Sequence, residues 1–324
     1  MQTILGANGV IGRELSRHLR PYTGRLRQVS RTPAAEAPDD EVVAADLLDP
    51  GATAAAIAGS EVTYLVAGLK YDARVWEEQW PVVMRNAIDG CRRHGSALVF
   101  FDNVYAYGRV AGPMTEETPY NPCSRKGEVR ARIATTFMDE VRRGNLRGLI
   151  VRAADFYGPG AALSLTNAVV FERLKAGRRP QWIGDPHAVH TFTFTPDAGR
   201  SVAVLGNTPP AYGQVWHALT SDDPMTGERF VQMASALAGR PCRPQTVPRW
   251  MLRLAGMFSP TLRENMEMLY QFEHDYRFDS TKLQRAVGLA ATAYDEGIAT
   301  TWQAASSARA APPRDGAERA SPAG

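Results

Sequence analysis

The sequence predicts an α/β fold: a Rossmann-type doubly wound parallel sheet with a smaller mixed C-terminal substrate lobe. Three observations carry that expectation. Short apolar runs alternate with amphipathic stretches through the first half, as successive βαβ units do. The runs are continuous rather than alternating, as strands covered on both faces require. The first run ends in GANGVIG, a glycine turn that opens a helical stretch.

Taken in order, Thr3 to Leu5, Leu26 to Val29, Val42 to Ala45, Val62 to Ala67, Leu98 to Phe101 and Leu149 to Arg152 read as strands. Segments 10–20, 50–58, 74–94 and 124–143 read as helices. Beyond residue 155 the pattern is mixed. ALSLTNAVVFERLKAG reads as a helix, QWI and HTFTF as short strands, and 226–239 and 248–270 as helices, with Pro248 suited to a helix start. DSTKLQRAVGL reads as a further short helix capped by Asp279 or Ser280. Residues 1–155 are therefore expected to be mainly a dinucleotide-binding domain. Residues 156–303 would be mainly a substrate-binding lobe, partly interleaved with the sheet. From Ala304 to Gly324 the chain turns to Ala, Ser, Pro, Arg and Gly, which bury too little apolar surface to offset ordering, so a disordered tail is expected.

Bulk properties narrow the function. With 324 residues, 44% of them hydrophobic and 22% charged, the chain has the make-up of a globular protein with a sizeable core. Its net charge of +3 is small, and the basic residues are dispersed, so nucleic acid is not expected as a partner. The three cysteines, Cys91, Cys123 and Cys242, suggest neither a disulfide framework nor a zinc knuckle, which fits a reducing, cytoplasmic location. MQTILGANGVIG lacks the basic region and long apolar run of a signal peptide. No run approaches the roughly 18 apolar residues of a membrane span, so no membrane partner is expected.

Gly6, Gly9 and Gly12 supply a tight turn, bare backbone beside a pyrophosphate and close helix–strand packing. Unpaired amides at the helix start would face the phosphates. The second strand ends in VSRTPA rather than in a carboxylate that would bind a ribose diol. Ser30 and Arg31 suit a 2′-phosphate, so NADP is the favoured cofactor, with NAD possible. Arg31 also reads as a solvent-facing loop arginine.

With these glycines and the later motifs together, the chain resembles the extended or atypical short-chain dehydrogenase/reductase superfamily, and within it the NAD-dependent epimerase/dehydratase family. GANGVIG, the Asp46–Leu47 pair in AADLLD, VAGL at 66–69, FFDNVYAYG at 100–108 and RAADFYGPG at 152–160 carry the resemblance in the right order. It implies cofactor contacts from Gly6, Asn8, Gly9, Val10, Ile11 and Gly12. It implies others from Asp46, Leu47, Ala67, Gly68, Lys126 and Phe156. In that family a Ser or Thr, a Tyr and a Lys carry the chemistry. The lysine holds the nicotinamide ribose and favours the phenolate of a tyrosine that is otherwise a poor base at neutral pH.

Here Lys126 falls on the lysine, Asn103 replaces the serine, and Pro122 stands where the tyrosine is expected, four residues before the lysine. Asn103 can polarise a carbonyl but cannot relay a proton as a hydroxyl does. Tyr105 and Tyr120 are the candidate replacements. Tyr105 is preferred because proline restricts the backbone through which Tyr120 would reach. Lys126 acting directly is a third option.

Weaker signals complete the reading. Asp155 would orient a substrate hydroxyl or cap a turn. His187 and His190 lack a third ligand at recognisable spacing, so no metal site is expected. Asp197 would cap a helix. Arg173, Arg178 and Arg179 would meet a diphosphate or simply face solvent. Trp76 and Trp80 share a helix face that would serve a homodimer or the core. The expected function is an NADP-favouring oxidoreductase or epimerase acting on a small polar carbonyl or hydroxyl substrate. The alternatives are a sugar-nucleotide epimerase or dehydratase and a non-catalytic NADP-binding regulator.

Overall fold

The computed structural model describes residues 1–248, 251, 257 and 264–307. The first half alternates strand and helix: β1 (Gln2–Leu5), α1 (Val10–Leu19), β2 (Leu26–Ser30), β3 (Glu41–Ala44), α2 (Pro50–Ile57), β4 (Val62–Leu65), α3 (Ala73–His94) and β5 (Ala97–Asn103). Then come the two-residue β6 (Pro113–Met114), α4 (Arg125–Arg142) and β7 (Gly148–Ala153). The second half supplies β8 (Asp155–Tyr157), α5 (Glu172–Lys175), β9 (Gln181–Ile183), β10 (Phe192–Phe194), α6 (Thr195–Gly206) and β11 (Val215–His217). It closes with α7 (Gly227–Leu237), β12 (Gln245–Val247), β13 (Arg277–Phe278), α8 (Thr281–Val287) and α9 (Tyr294–Ser307).

Seven strands form one parallel sheet in the order β11-β7-β5-β4-β1-β2-β3. Successive residues of a strand face opposite sides, and here both sides are apolar. Ile4, Val99 and Leu149 pack with Ile11, Leu15 and Val202 on one face. Leu5, Phe100 and Ile150 pack with Trp80, Ile88 and Phe137 on the other. Burying each such side chain contributes about 1.5–3 kcal/mol, which holds the helices against both faces. A third cluster, built on Tyr157, Phe171, Trp182, Phe192 and Phe230, is the core of the smaller lobe. The halves interleave: β11 extends the main sheet beside β7, and β13 pairs with β6.

Local chemistry sets the helix ends. The Asp49 carboxylate accepts from the Ala52 amide at 2.9 Å, with Pro50 opening α2. Asp72 accepts from Arg74 N at 3.0 Å to start α3, and Gly95, at φ +68°, ends it. Ser124 Oγ accepts from the Gly127 amide at 3.0 Å and starts α4.

The structure corrects several expectations. The fourth strand stops at Leu65, and Val66 to Leu69 leave the sheet as a loop. The helix expected over 162–177 is present over 165–175 but contains a π-helical segment, Asn167–Phe171, before α5; Ser164 Oγ donates to Phe156 O in β8, and Asn167 Nδ2 to Gly158 O just beyond it. Ala304 to Ser307 extend α9, so the ordered chain outlasts the expected start of the tail. Residues 308–324 lie outside the described residues, as does most of the helix expected over 248–270. Asp197 sits within the first turn of α6 rather than at its cap, where it binds Arg200 and accepts from the Thr292 amide. Trp76 and Trp80 are core residues, 4% and 0% exposed, in edge-to-face contact.

Candidate functional site

The strand order reverses between β1 and β4, which places a crevice at the carboxyl ends of these strands. GANGVIG lies at its floor. Gly6 has φ +96°, and a Cβ there would lie 2.4 Å from Ala67 Cα. At Gly12 a Cβ would lie 2.5 Å from Ala7 O, so α1 can approach β1 only with glycine at that position. Gly9 is the N-cap and carries no capping side chain, and the first bond into α1 is Arg13 N to Gly9 O at 3.0 Å. The amides of Val10, Ile11 and Gly12 therefore have no intrahelical acceptor and sit at the positive end of the helix.

Asn8 ties this turn to the end of β2 by donating to Thr32 O at 2.6 Å. Ser30 accepts from Thr32 N, and Arg31 is exposed with no ion pair among the described residues. Asp46 is exposed and bonds locally to Leu48 N, while Leu47 O accepts from Asn86. Ala67 and Gly68 follow β4. These residues sit at or just beyond the carboxyl ends of β1, β2, β3 and β4.

Lys126 is elsewhere committed. Its ammonium is fully buried and donates to Glu264 O (2.9 Å), Glu264 Oε2 (2.6 Å) and Glu267 Oε1 (2.7 Å). An ammonium has three donors, and all are used. Glu264 also accepts from Ala73 N at the start of α3, and Glu267 from Arg125 N at the start of α4. Lys126 Nζ stands 4.5 Å from the centre of the Tyr71 ring. The two glutamates went unnoticed in the sequence, since nothing links positions 138 and 141 residues apart from the lysine.

The two candidate tyrosines part company. Tyr120 turns its hydroxyl toward Arg152, a fully buried guanidinium at the end of β7 that packs between the rings of Tyr107 and Tyr120. Arg152 also binds Asp102 at 3.2 Å, and Arg130 faces the other Asp102 oxygen at 3.4 Å. Two guanidinia on one buried carboxylate leave this layer positive, and the rings of Trp76 and Trp80 share the charge of Arg130. Tyr107 continues the network to His217 Nε2 at 2.8 Å, and His217 Nδ1 donates to Asp279 O at 2.6 Å. Burial pulls the His217 imidazole down to about 3, consistent with a neutral ring that accepts from Tyr107.

Tyr105 instead turns toward Tyr71 and Trp76. Its hydroxyl is 3.4 Å from that of Tyr71, and its ring stacks on Trp76. Burial, then the negative charge of Asp155, push its phenol above the ordinary value, so it stays protonated at neutral pH. Asn103 Oδ1 accepts from Tyr105 N at 3.0 Å and so braces the turn, leaving its amide NH2 unused among the described residues. Asp155, at the start of β8, receives His190 Nε2 at 2.9 Å. The hydroxyls of Tyr270 and Tyr276 are buried without a hydrogen bond of regular geometry, although Tyr276 lies close to the Asp155 backbone and Tyr270 close to the Cys123 thiol. A cleft beside this cluster is lined by Gly108, Arg109, Tyr270, His274, Tyr276 and Arg277. Phe156 stacks on Phe101 at 5.9 Å. Arg173 and Arg179 bond to backbone carbonyls at the lobe surface. Among the described residues there is no group of three potential metal ligands and no helix long and apolar enough to cross a membrane.

Sheet order, glycine turn and crevice together define a Rossmann-type protein. The match is more specific than that: the chain belongs to the NAD dependent epimerase/dehydratase family, whose model matches residues 3–211. No curated protein matches it significantly in sequence. Among solved structures it is similar to a double mutant of DesIV, a dTDP-glucose 4,6-dehydratase from Streptomyces venezuelae, with NAD bound (TM-score 0.76, 18% identity, covering 95% of this chain and 98% of that one). It is also similar to a Thermus thermophilus UDP-glucose 4-epimerase in complex with NAD (0.75, 18%, 95% and 100%). A third is the Bacillus cereus UDP-N-acetylglucosamine 4-epimerase (0.74, 13%, 93% and 95%). At these identities the likeness is one of fold.

Proposed function

We propose that the chain is a pyridine-nucleotide-dependent epimerase or dehydratase acting on a nucleotide-linked sugar. The observation that carries the reading is the Gly6 cradle: bare backbone against Ala67, followed by three unpaired amides at the start of α1. A side chain at Gly6 or Gly12 would collide with Ala67 or Ala7, so the turn keeps its shape only with glycine there, while at Gly9 a Cβ would meet nothing closer than Gly6 O at 3.4 Å, and these residues fit a dinucleotide pyrophosphate. When bound, the cofactor supplies reversible hydride exchange at its nicotinamide.

The chain's own residues do the rest. Val10, Ile11 and Gly12 present amides to the phosphates, Asn8 braces the turn, and Asp46, Leu47, Ala67 and Gly68 wall the crevice. Tyr105, kept protonated, and the free amide of Asn103 polarise a substrate oxygen. Arg109, exposed and without an ion pair among the described residues, lies at the rim of the adjoining cleft and would meet a sugar diphosphate at the surface. This reading is preferred to a small free carbonyl substrate because the similar structures named above are of enzymes named for nucleotide sugars.

Ser30 and Arg31 at the end of β2 favour NADP over NAD, although two of those structures hold NAD. Calorimetric titration with NADPH and NADH tests the cofactor: tighter NADH binding ends the NADP preference, and binding of neither ends the whole reading. Incubation with UDP-glucose, dTDP-glucose and UDP-N-acetylglucosamine then tests the reaction. A non-catalytic, dinucleotide-binding role is favoured by Pro122 and by the occupied donors of Lys126. Cofactor binding without change in any of the three sugars supports that second role.

A further inference from the structure

We propose that Asp155, held in place by His190, takes and returns the substrate hydroxyl proton, replacing the tyrosine whose position Pro122 occupies. The proposal deepens the functional reading above and rests on it. Three observations converge on this pair.

First, the dyad is built. His190 is 2% exposed, and its ring lies between Phe272 and Tyr276, each stacked at 15° with centroids 4.6 and 4.5 Å away. Trp182 meets it edge-on, and Phe192 closes a further side. In this aromatic box the ring's side-chain hydrogen bond is to Asp155 Oδ2, at 2.9 Å. A polar ring in so apolar a setting is costly unless its hydrogen bond is made. The backbone secures the arrangement. His190 N donates to Met225 O at 2.7 Å, and β8 and β10 run in register from Asp155 and Phe192.

Second, the carboxylate has one uncommitted oxygen. Its side chain is 21% exposed, and Oδ1 carries no hydrogen bond among the described residues. It acts electrostatically on the phenols of Tyr71, Tyr105, Tyr270 and Tyr276, the last two of which line the adjoining cleft. Two of these hydroxyls, Tyr270 and Tyr276, are buried without a regular hydrogen bond, leaving donors for a ligand hydroxyl that Asp155 would also meet.

Third, the alternatives are engaged. Tyr120 is bound to Arg152, Lys126 has spent its donors on Glu264 and Glu267, and Tyr105 is a buried phenol that resists ionisation.

In the step itself the substrate O–H bond breaks and its proton adds to Asp155 Oδ1. The electron pair forms the new carbonyl as the carbon-bound hydride leaves to the oxidised pyridine nucleotide, and the reverse restores the alcohol. Asp155 is the catalytic residue and His190 a positioning residue.

The test uses the full chain with NADP or NAD and with UDP-glucose, dTDP-glucose and UDP-N-acetylglucosamine as probes. D155N should lower single-turnover hydride transfer by about 100-fold or more, with cofactor affinity and melting temperature near those of the wild type, and D155E should recover part of the loss. H190F should lower the rate about tenfold and displace its pH profile. H190Q, which keeps a donor where Nε2 stood, should restore most of both. Independently of turnover, nitrogen-15 imidazole NMR should find a proton on His190 Nε2 that is protected from exchange in the wild type and lost in D155A, which removes the acceptor. Hydride transfer surviving D155N, or an unprotected Nε2 proton in the wild type, overturns this proposal alone. A wild type that binds cofactor but transfers no hydride with any probe overturns the functional reading and this proposal with it.

Discussion

Replacing Lys126 by methionine, K126M, deletes the cation at the centre of the clamp while keeping side-chain volume. Removing one member of a buried ion pair costs about 3–5 kcal/mol when the remaining charge is left uncompensated. Here the compensation is partial. The Glu264 and Glu267 side chains are 21% and 24% exposed, so water reaches them. Each also keeps a backbone donor, Ala73 N at 2.8 Å or Arg125 N at 3.0 Å, at the start of a helix. An anion at a helix N-terminus is worth about 0.3–1 kcal/mol. The expected net loss is therefore about 2–3 kcal/mol, read from urea unfolding with an unchanged denaturant slope. E267Q, which removes one charge but keeps an acceptor, should cost less, about 1 kcal/mol. With all three Lys126 donors used inside the clamp, neither variant should change cofactor affinity by more than about twofold. A loss in K126M below about 0.5 kcal/mol, the range of a surface pair, would refute the clamp.

Two further outcomes rest on the geometry of the turn and of the buried histidine. G12V puts a side chain where a Cβ would already lie 2.5 Å from Ala7 O and 2.7 Å from Gly6 O, so α1 must withdraw from β1. The expected stability loss is about 1–3 kcal/mol, and NADPH affinity, followed by energy transfer from tryptophan, should fall at least about tenfold; wild-type affinity would show that the turn does not hold the pyrophosphate. His217 has a second, pH-dependent signature. Burial lowers its pKa from 6.5 to about 3, opposed by the Asp279 carbonyl and reinforced by Arg152. The unfolded chain therefore binds a proton that the folded chain refuses. Stability from this group is complete above about pH 6.5 and is lost as pH falls toward 3, by at most about 1.4 kcal/mol per pH unit. H217F should lose the Tyr107 hydrogen bond, be less stable at neutral pH, and show a shallower acid limb in a plot of stability against pH. An acid limb as steep as the wild type's would assign the acid sensitivity to other groups.

The parts of this molecule that sequence makes legible are those whose physics is local. The glycine turn announces itself because one short segment must be a strand end, a tight turn and a helix start at once, and Gly6 and Gly12 meet those demands within seven residues. Apolar strands and capped helices are legible for the same reason: Leu65, Phe100 and Ile150 are dictated by a sheet covered on both faces, and Asp72 and Ser124 by amides a few residues on. The long-range half of the site is not local in this sense. Glu264 reaches Lys126 across 138 residues, and His190 reaches Asp155 across 35. Asp155 was visible as a polar residue beside a strand end, but its histidine partner is set by the parallel pairing of β8 with β10, which no spacing in the chain displays.

The absent family tyrosine shows where residue-by-residue transfer from a family stops being informative. Pro122 removes a side chain and an amide, yet the neighbouring Tyr120 is not drawn into the vacated role. Its hydroxyl goes to Arg152, because a guanidinium at the buried end of β7 needs acceptors and has only Asp102, already shared with Arg130. Satisfying that charge takes priority over supplying a base, since an unpaired buried cation would cost the fold several kcal/mol. Arg152 and the Asp102 at the end of β5 form a buried polar layer through the pairing of β5 with β7, which no spacing in the chain displays. A tyrosine adjoining such a layer is pulled toward the cations, and Tyr120 is held there by Arg152.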